Sequence, residues 1–175
     1  MLTAAPRTRA QLAEALRRRD VPEEAAQAVL DRFSDVGLID DEAFAEAWVN
    51  SRHAGRGLGR KALATELRRR GVDDDTVRDA VERLDPEQEV ETARRLVTVR
   101  LPSTRSLRPA ARIRRLTSLL ARKGYSPGLA YRVVREVLES TGLDHDARLE
   151  TAHDAESFPI PDDCCTMEEI DIGSD

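Results

Sequence analysis

Aromatic residues are scarce: Phe33, Phe44, Phe158, Trp48, Tyr125 and Tyr131 make up 3% of the 175 residues. An all-β fold wants aromatic and β-branched runs, so this scarcity argues for helices. It also argues against a protein that holds single-stranded nucleic acid by itself, because such proteins stack bases on aromatic platforms. Cysteine is limited to the adjacent pair Cys164-Cys165, which cannot staple distant parts of a fold and reads as free thiols. His53, His145 and His153 are scattered, and Asp144-His145-Asp146 has no evident scaffold, so neither a metal nor a cofactor is expected. No apolar run approaches membrane-spanning length, and Met1 to Arg7 lacks the apolar core of a signal peptide, so a cytoplasmic location is expected. No Ser/His/Asp or Cys/His set suggests catalysis, and the many carboxylates suit helix starts and surfaces, so the chain reads as a non-enzyme. Gly55-Arg-Gly57-Leu-Gly59-Arg60 lacks the third glycine of a dinucleotide loop and the Lys-Ser/Thr of a P-loop, which leaves a hinge as its reading.

What the chain does have is charge, in 35% of its residues, and apolar side chains, in 40%. The net charge of −5 averages two unlike pieces. Residues 141–175 hold eleven carboxylates against Arg148 alone, a charge of −10, which leaves the first 140 residues at +5. A basic body points to a polyanionic partner, and the acidic tail to a means of limiting it. From Leu143 onward the charge density and Phe158-Pro-Ile-Pro predict disorder.

The body repeats itself. Leu12-Ala-Glu-Ala-Leu16-Arg-Arg-Arg-Asp20-Val21 matches Leu63-Ala-Thr-Glu-Leu67-Arg-Arg-Arg-Gly71-Val72 and, more loosely, Leu116-Thr-Ser-Leu-Leu120-Ala-Arg-Lys-Gly124-Tyr125, with Leu16, Leu67 and Leu120 spaced by 51 and 53 residues. A second helix follows each match, opened by Pro22-Glu-Glu, Asp73-Asp-Asp-Thr76 or Ser126-Pro127 and carrying a helical apolar stripe. Asp40-Asp-Glu and Asp85-Pro86-Glu87 open a third helix in the first two copies, with Phe44 and Trp48 read as core in the first. The expected fold is all-α, an elongated tandem array of three-helix repeats with a disordered acidic C-terminal tail. Its boundaries are expected at 1–56, 57–108, 109–140 (third helix missing or degenerate) and 141–175, with flexible connectors at Arg52–Gly59 and Pro102–Pro109.

Gly37-Leu-Ile-Asp-Asp-Glu-Ala-Phe44-Ala-Glu-Ala-Trp48, then Arg52, Gly57 and Arg60-Lys-Ala-Leu-Ala-Thr-Glu-Leu67-Arg-Arg-Arg-Gly71-Val72, closely resembles the signature of the RecX family. The resemblance covers roughly residues 7–139 and implies tandem three-helix repeats, no enzymatic activity, and a role as a modulator, usually an inhibitor, of the recombinase RecA. It implies as partners RecA and the RecA filament on single-stranded DNA, in whose groove family members lie. Direct DNA binding is expected to be weak, and the chain to be a monomer. Family members usually begin with an additional helix before the stretch matching Arg9–Leu16, which makes an incomplete first repeat one expectation. The acidic tail is outside the family pattern.

Candidate binding residues lie on the first helix of each repeat. Arginine dominates, Lys61 and Lys123 being the only lysines, and its planar fork suits phosphate and carboxylate. Arg17, Arg18, Arg19, Arg68, Arg69, Arg70, Arg122 and Lys123 fall in last turns, where the helix dipole favours cations, so a solvated cap and a binding site explain them equally well. Arg60, Lys61, Arg112, Arg114 and Arg115 lie at or near helix starts, where a positive charge costs about 0.3–1 kcal/mol, so an anionic partner is the better account of them. Short basic helices also fit a helix-turn-helix transcription module, although a recognition helix with paired Asn or Gln for base reading is missing.

Overall fold

The computed structural model describes residues 6–142, and the acidic tail and Cys164-Cys165 lie outside them. Helix starts are where capping chemistry places them. Thr8 and Gln11 form a reciprocal capping box ahead of α1 (Arg9–Arg17). α2 (Glu23–Asp35) begins after Pro22 with Glu23 and Glu24 in its first turn. Asp40 caps α3 (Asp41–Arg56) by accepting from the Ala43 N–H at 2.8 Å. α4 (Arg60–Arg69) has Gly59 at its cap position, and Asp73 caps α5 (Asp74–Glu82) through the Asp75 and Thr76 N–H groups. Asp85 caps α6 (Pro86–Arg100), which continues into a 3-10 turn, Leu101–Thr104. α7 (Pro109–Arg122) opens on proline, and Ser126 caps α8 (Pro127–Ser140). Among the described residues there is no strand.

Packing groups the helices one step out of phase with the sequence repeat. Phe44, Ala45 and Val49 of α3 share a core with Leu63 and Leu67 of α4 and Val77 and Ala80 of α5. Ala93 and Val97 of α6 join Leu116 and Leu120 of α7 and Val133, Val134 and Val137 of α8 in another. The first cluster is small, with Leu12 of α1, Leu30 of α2 and Ile39 buried together. Thus α3 packs into the second unit although the repeat boundary at 56 assigned it to the first, and α6 opens the third unit although the boundary at 108 closed the second after it. The physical reason is that a sequence period fixes the length of a unit but not which helix starts it. In this phase the third unit has three helices, α6, α7 and α8, and the described residues of the first hold two, α1 and α2.

The connector expected to be a hinge is a packed joint. Arg52–Arg56 continue α3, and Gly57 closes it in the left-handed conformation. The Gly59 N–H donates to the Lys123 carbonyl at 2.8 Å and the Lys61 N–H to the Gly124 carbonyl at 3.1 Å, so free donors of the α4 start are met by the end of α7. Tyr125 donates its hydroxyl to the Gly57 carbonyl at 3.1 Å, and burial pushes that phenol's pKa up. An equivalent joint links α1 to α4, where Thr8 Oγ1 donates to the Arg70 carbonyl at 2.6 Å. The other connector is ordered too: its 3-10 turn buries Leu101 and Thr104.

The left-handed residue that ends the first helix of each repeat explains its own identity. Gly71 (φ +77°) and Gly124 (φ +86°) lie so close to the preceding unit that a Cβ would sit 2.3 Å from the Ala10 Cβ and 2.3 Å from the Ala62 nitrogen. The matching residue after α1 is Asp20, left-handed at φ +56°. Its side chain is exposed. Only glycine fits the two joints, whereas the first position bears a side chain at a modest conformational cost.

Candidate interface for an anionic partner

The thirteen basic candidates separate into those the fold uses and those it leaves free. Arg60 leaves the α4 start with its Nε 2.8 Å from Glu89 Oε2 and its other nitrogens 3.1 Å from the Val81 carbonyl and 2.5 Å from the Leu84 carbonyl. Glu89 of α6 is buried, so one guanidinium ties α4, α5 and α6 together. Arg112 is 7% exposed and donates to the carbonyls of Thr104 (3.2 Å), Arg105 (3.0 Å) and Leu107 (3.1 Å), clamping the turn that leads into α7. Both guanidiniums are thus engaged inside the fold, Arg60 by a carboxylate and two carbonyls and Arg112 by backbone carbonyls. Tertiary hydrogen bonds offset the unfavourable dipole position.

Others are engaged more lightly. Lys123 Nζ donates to the Arg56 carbonyl at 2.8 Å, Arg68 pairs with Asp74 at 2.6 Å, and Arg17 and Arg18 pair with Glu14. Arg70 lies 3.6 Å from the centre of the Trp48 ring and Arg52 4.1 Å, a cation–π arrangement in which burial and the Arg52 charge lower the Arg70 pKa. Trp48 stacks on Phe44 with ring centres 5.7 Å apart and donates its indole N–H to Glu66 at 3.0 Å. It is half-buried on the second core rather than a free anchor.

Arg19, Lys61, Arg69, Arg114, Arg115 and Arg122 remain exposed, with no carboxylate within ion-pair distance among the described residues. Three of them converge. Leu116 and Leu120 turn one side of α7 into the third core, which forces Ala111, Arg114, Arg115, Ser118 and Arg122 onto the outward side at helical spacing. With Arg100 from the end of α6 and Leu107 they line an open groove of about 490 Å³ that carries four guanidiniums and no carboxylate. A second groove of about 560 Å³, between α1 and the end of α4, gathers Arg7, Arg18, Arg69 and Arg70 beside Glu14. Arg100 and Arg7 are members that helix-end reasoning did not select; Arg100 belongs to another helix, and only packing brings it to α7. A set of like charges held together without counter-charge favours a bound polyanion. Among the described residues no cluster of His, Cys, Asp and Glu could hold a metal, and no helix is long and apolar enough to cross a membrane.

Residues 40–81, which hold α3, α4 and α5, match the model of the RecX second three-helix domain, and residues 1–33 match that of the first. The packing unit and the family unit therefore start at the same helix. A regulatory protein RecX from Thermobifida fusca is 64% identical over 146 residues, covering 83% of this chain and 79% of that protein. The chain belongs to the RecX family. A second relative of the same description, from Streptomyces coelicolor, is 61% identical and covers 82% of this chain and 77% of its own length. The crystal structure of RecX from Lactobacillus salivarius shares the fold with a TM-score of 0.75 at 23% identity, over 78% of this chain and 88% of that one. Another RecX crystal structure has a TM-score of 0.70 at 25% identity, over 77% of this chain and 66% of its own. Both named relatives are described as regulatory proteins.

Proposed function

We propose that this chain binds RecA filaments on single-stranded DNA and inhibits the recombinase, and that the α7 groove is its main contact. The observation that carries the reading is the meeting of Arg100, Arg114, Arg115 and Arg122 with no carboxylate among the described residues. Arg19, Lys61 and Arg69 supply further free cations on other units. Packed joints hold the units in fixed relative positions, so several weak contacts act together wherever a partner repeats its charges at a matching spacing. A filament offers that regularity, with phosphates and acidic protein surface along one groove, whereas loose DNA offers charge without fixed geometry. Binding to bare DNA is correspondingly weak.

The test compares wild type with a variant carrying Arg114→Glu, Arg115→Glu and Arg122→Glu in RecA strand-exchange and ATPase assays at one salt concentration. The variant keeps its helix content and loses inhibition. Undiminished inhibition would remove the α7 groove from the reading. Equal affinity of wild type for bare DNA and for filament would reduce the function to generic masking of DNA.

A further inference from the structure

The α7 groove combines two kinds of surface. Arg100, Arg114, Arg115 and Arg122 bring four guanidiniums to it without a carboxylate, and Leu107 and Leu119 line it half-buried. Neither leucine belongs to the cluster that forms the third core. A sugar-phosphate backbone answers the guanidiniums and leaves the leucines facing water. A segment that interleaves carboxylates with aliphatic side chains answers both. The chain carries such a segment beyond the described residues. Residues 157–175 hold six carboxylates and no base, and Met167-Glu168-Glu169-Ile170-Asp171-Ile172 sets three of them among three large apolar side chains. Reach allows the meeting, since α8, the last described helix, belongs to the same unit as α7. A coil of 24 residues, the length of 143–166, spans about 25–30 Å, whereas α7 is about 21 Å long. The groove between α1 and the end of α4 is basic too, but it includes Glu14 and belongs to the first two units.

We infer that residues 167–172 occupy the α7 groove of their own chain and compete there with an external polyanion, their carboxylates on the guanidiniums and Ile170 and Ile172 against Leu107 and Leu119. This is regulation of the site proposed above, and it rests on that reading. The tether makes the contact intramolecular, so weak attraction suffices to close the groove. Charge draws the segment toward the body, and the isoleucines give it one place there. A partner that presents many charges in a fixed array displaces the segment more readily than loose DNA does.

The test uses the full chain at low ionic strength, where the attraction is least screened. A nitroxide is attached to Cys165 in a Cys164→Ser background, these two being the chain's only cysteines. Its relaxation effect on backbone amides reads which surface the segment visits. Broadening concentrated on Arg114, Arg115, Ser118 and Arg122 is expected, with the amides of α2 left sharp. Replacing the exposed Arg114, Arg115 and Arg122 by Glu abolishes it. Ile170→Ser with Ile172→Ser reduces it at unchanged charge. A groove closed about two-thirds of the time binds its ligand about threefold more weakly, so the isoleucine variant binds a thymidine oligonucleotide about threefold more tightly than wild type. Broadening spread alike over the α7 groove and the groove between α1 and α4 would overturn the inference in favour of unspecific shielding. So would broadening and DNA affinity that ignore the isoleucines. The relaxation measurement contains neither RecA nor DNA, so its failure leaves the strand-exchange test of the groove standing. Failure of the strand-exchange test with the broadening intact would remove the filament reading while the tail contact stands.

Discussion

Arg60 at the first position of α4 reaches Glu89 on α6 at 2.8 Å; the carboxylate is buried and the guanidinium partly so. Loss of Glu89 would leave Arg60 with its carbonyl partners but no counter-charge, and loss of Arg60 would leave a buried carboxylate unpaired. Each single substitution to Ala is expected to cost about 1.5–3 kcal/mol, the range for hydrogen bonds to charged groups, with the partly solvated Arg60 toward the lower end. The double variant should lose clearly less than the sum. Urea unfolding of the four proteins checks this, and strict additivity would mean that the pair is not coupled.

The joints predict opposite outcomes at matching positions. Gly124→Ala places a Cβ on the backbone of α4 at a φ of +86°, and a loss of at least about 1–2 kcal/mol is expected from conformation alone. Asp20→Gly, where the side chain is exposed among the described residues, should be neutral or stabilising by up to about 1 kcal/mol. If both substitutions had the same effect, the joint would not be what selects glycine.

Asp73 gives a pH test. Hydrogen bonds from the Thr76 hydroxyl and from the Asp75 and Thr76 N–H groups hold its carboxyl below the usual carboxylate range. A depressed pKa contributes stability that is present above the unfolded value of about 3.9 and is lost as pH falls through the folded value. Asp73→Ala should therefore lower Tm at pH 7, with the gap to wild type closing in acid. A gap that persisted unchanged to the lowest pH would assign the effect to something other than the charged cap.

Salt dependence separates the free arginines from the structural ones. If Arg114, Arg115 and Arg122 touch phosphates of a single strand, replacing all three by Ala lowers the slope of log affinity against log salt by about 2, at about 0.7 per contact. Replacing Arg112, whose donors are spent on Thr104, Arg105 and Leu107, lowers stability and leaves that slope alone in the folded fraction. Equal slope changes would contradict the division.

Residues 141–175 carry a charge of −10 and the first 140 residues one of +5. Truncation after Gly142 should tighten binding to bare single-stranded DNA at low salt and change little near 0.15 M, where screening acts over about 8 Å. Titration of both forms across salt measures it. Unchanged affinity at low salt would remove any shielding role.

Helix class, helix starts, core stripes and the repeat were legible in the chain because they depend on local chemistry. Asp40, Asp73, Asp85 and Ser126 cap the residues that immediately follow them, and Leu63 and Leu67, like Leu116 and Leu120, face inward by helical spacing alone. Which basic residues are free was not legible. Arg60 and Arg114 both stood near helix starts, and a dipole argument cannot separate them. What divides them is whether a carboxylate or carbonyl far along the chain lies within reach: Glu89, Val81 and Leu84 for Arg60, and open groove for Arg114. Tertiary structure alone also set the phase of the units and turned the expected hinge at Gly57–Gly59 into a joint, because both depend on which surfaces far apart in the chain meet. A sequence by itself states what each segment can bury and donate; only the packed chain states which distant group receives it.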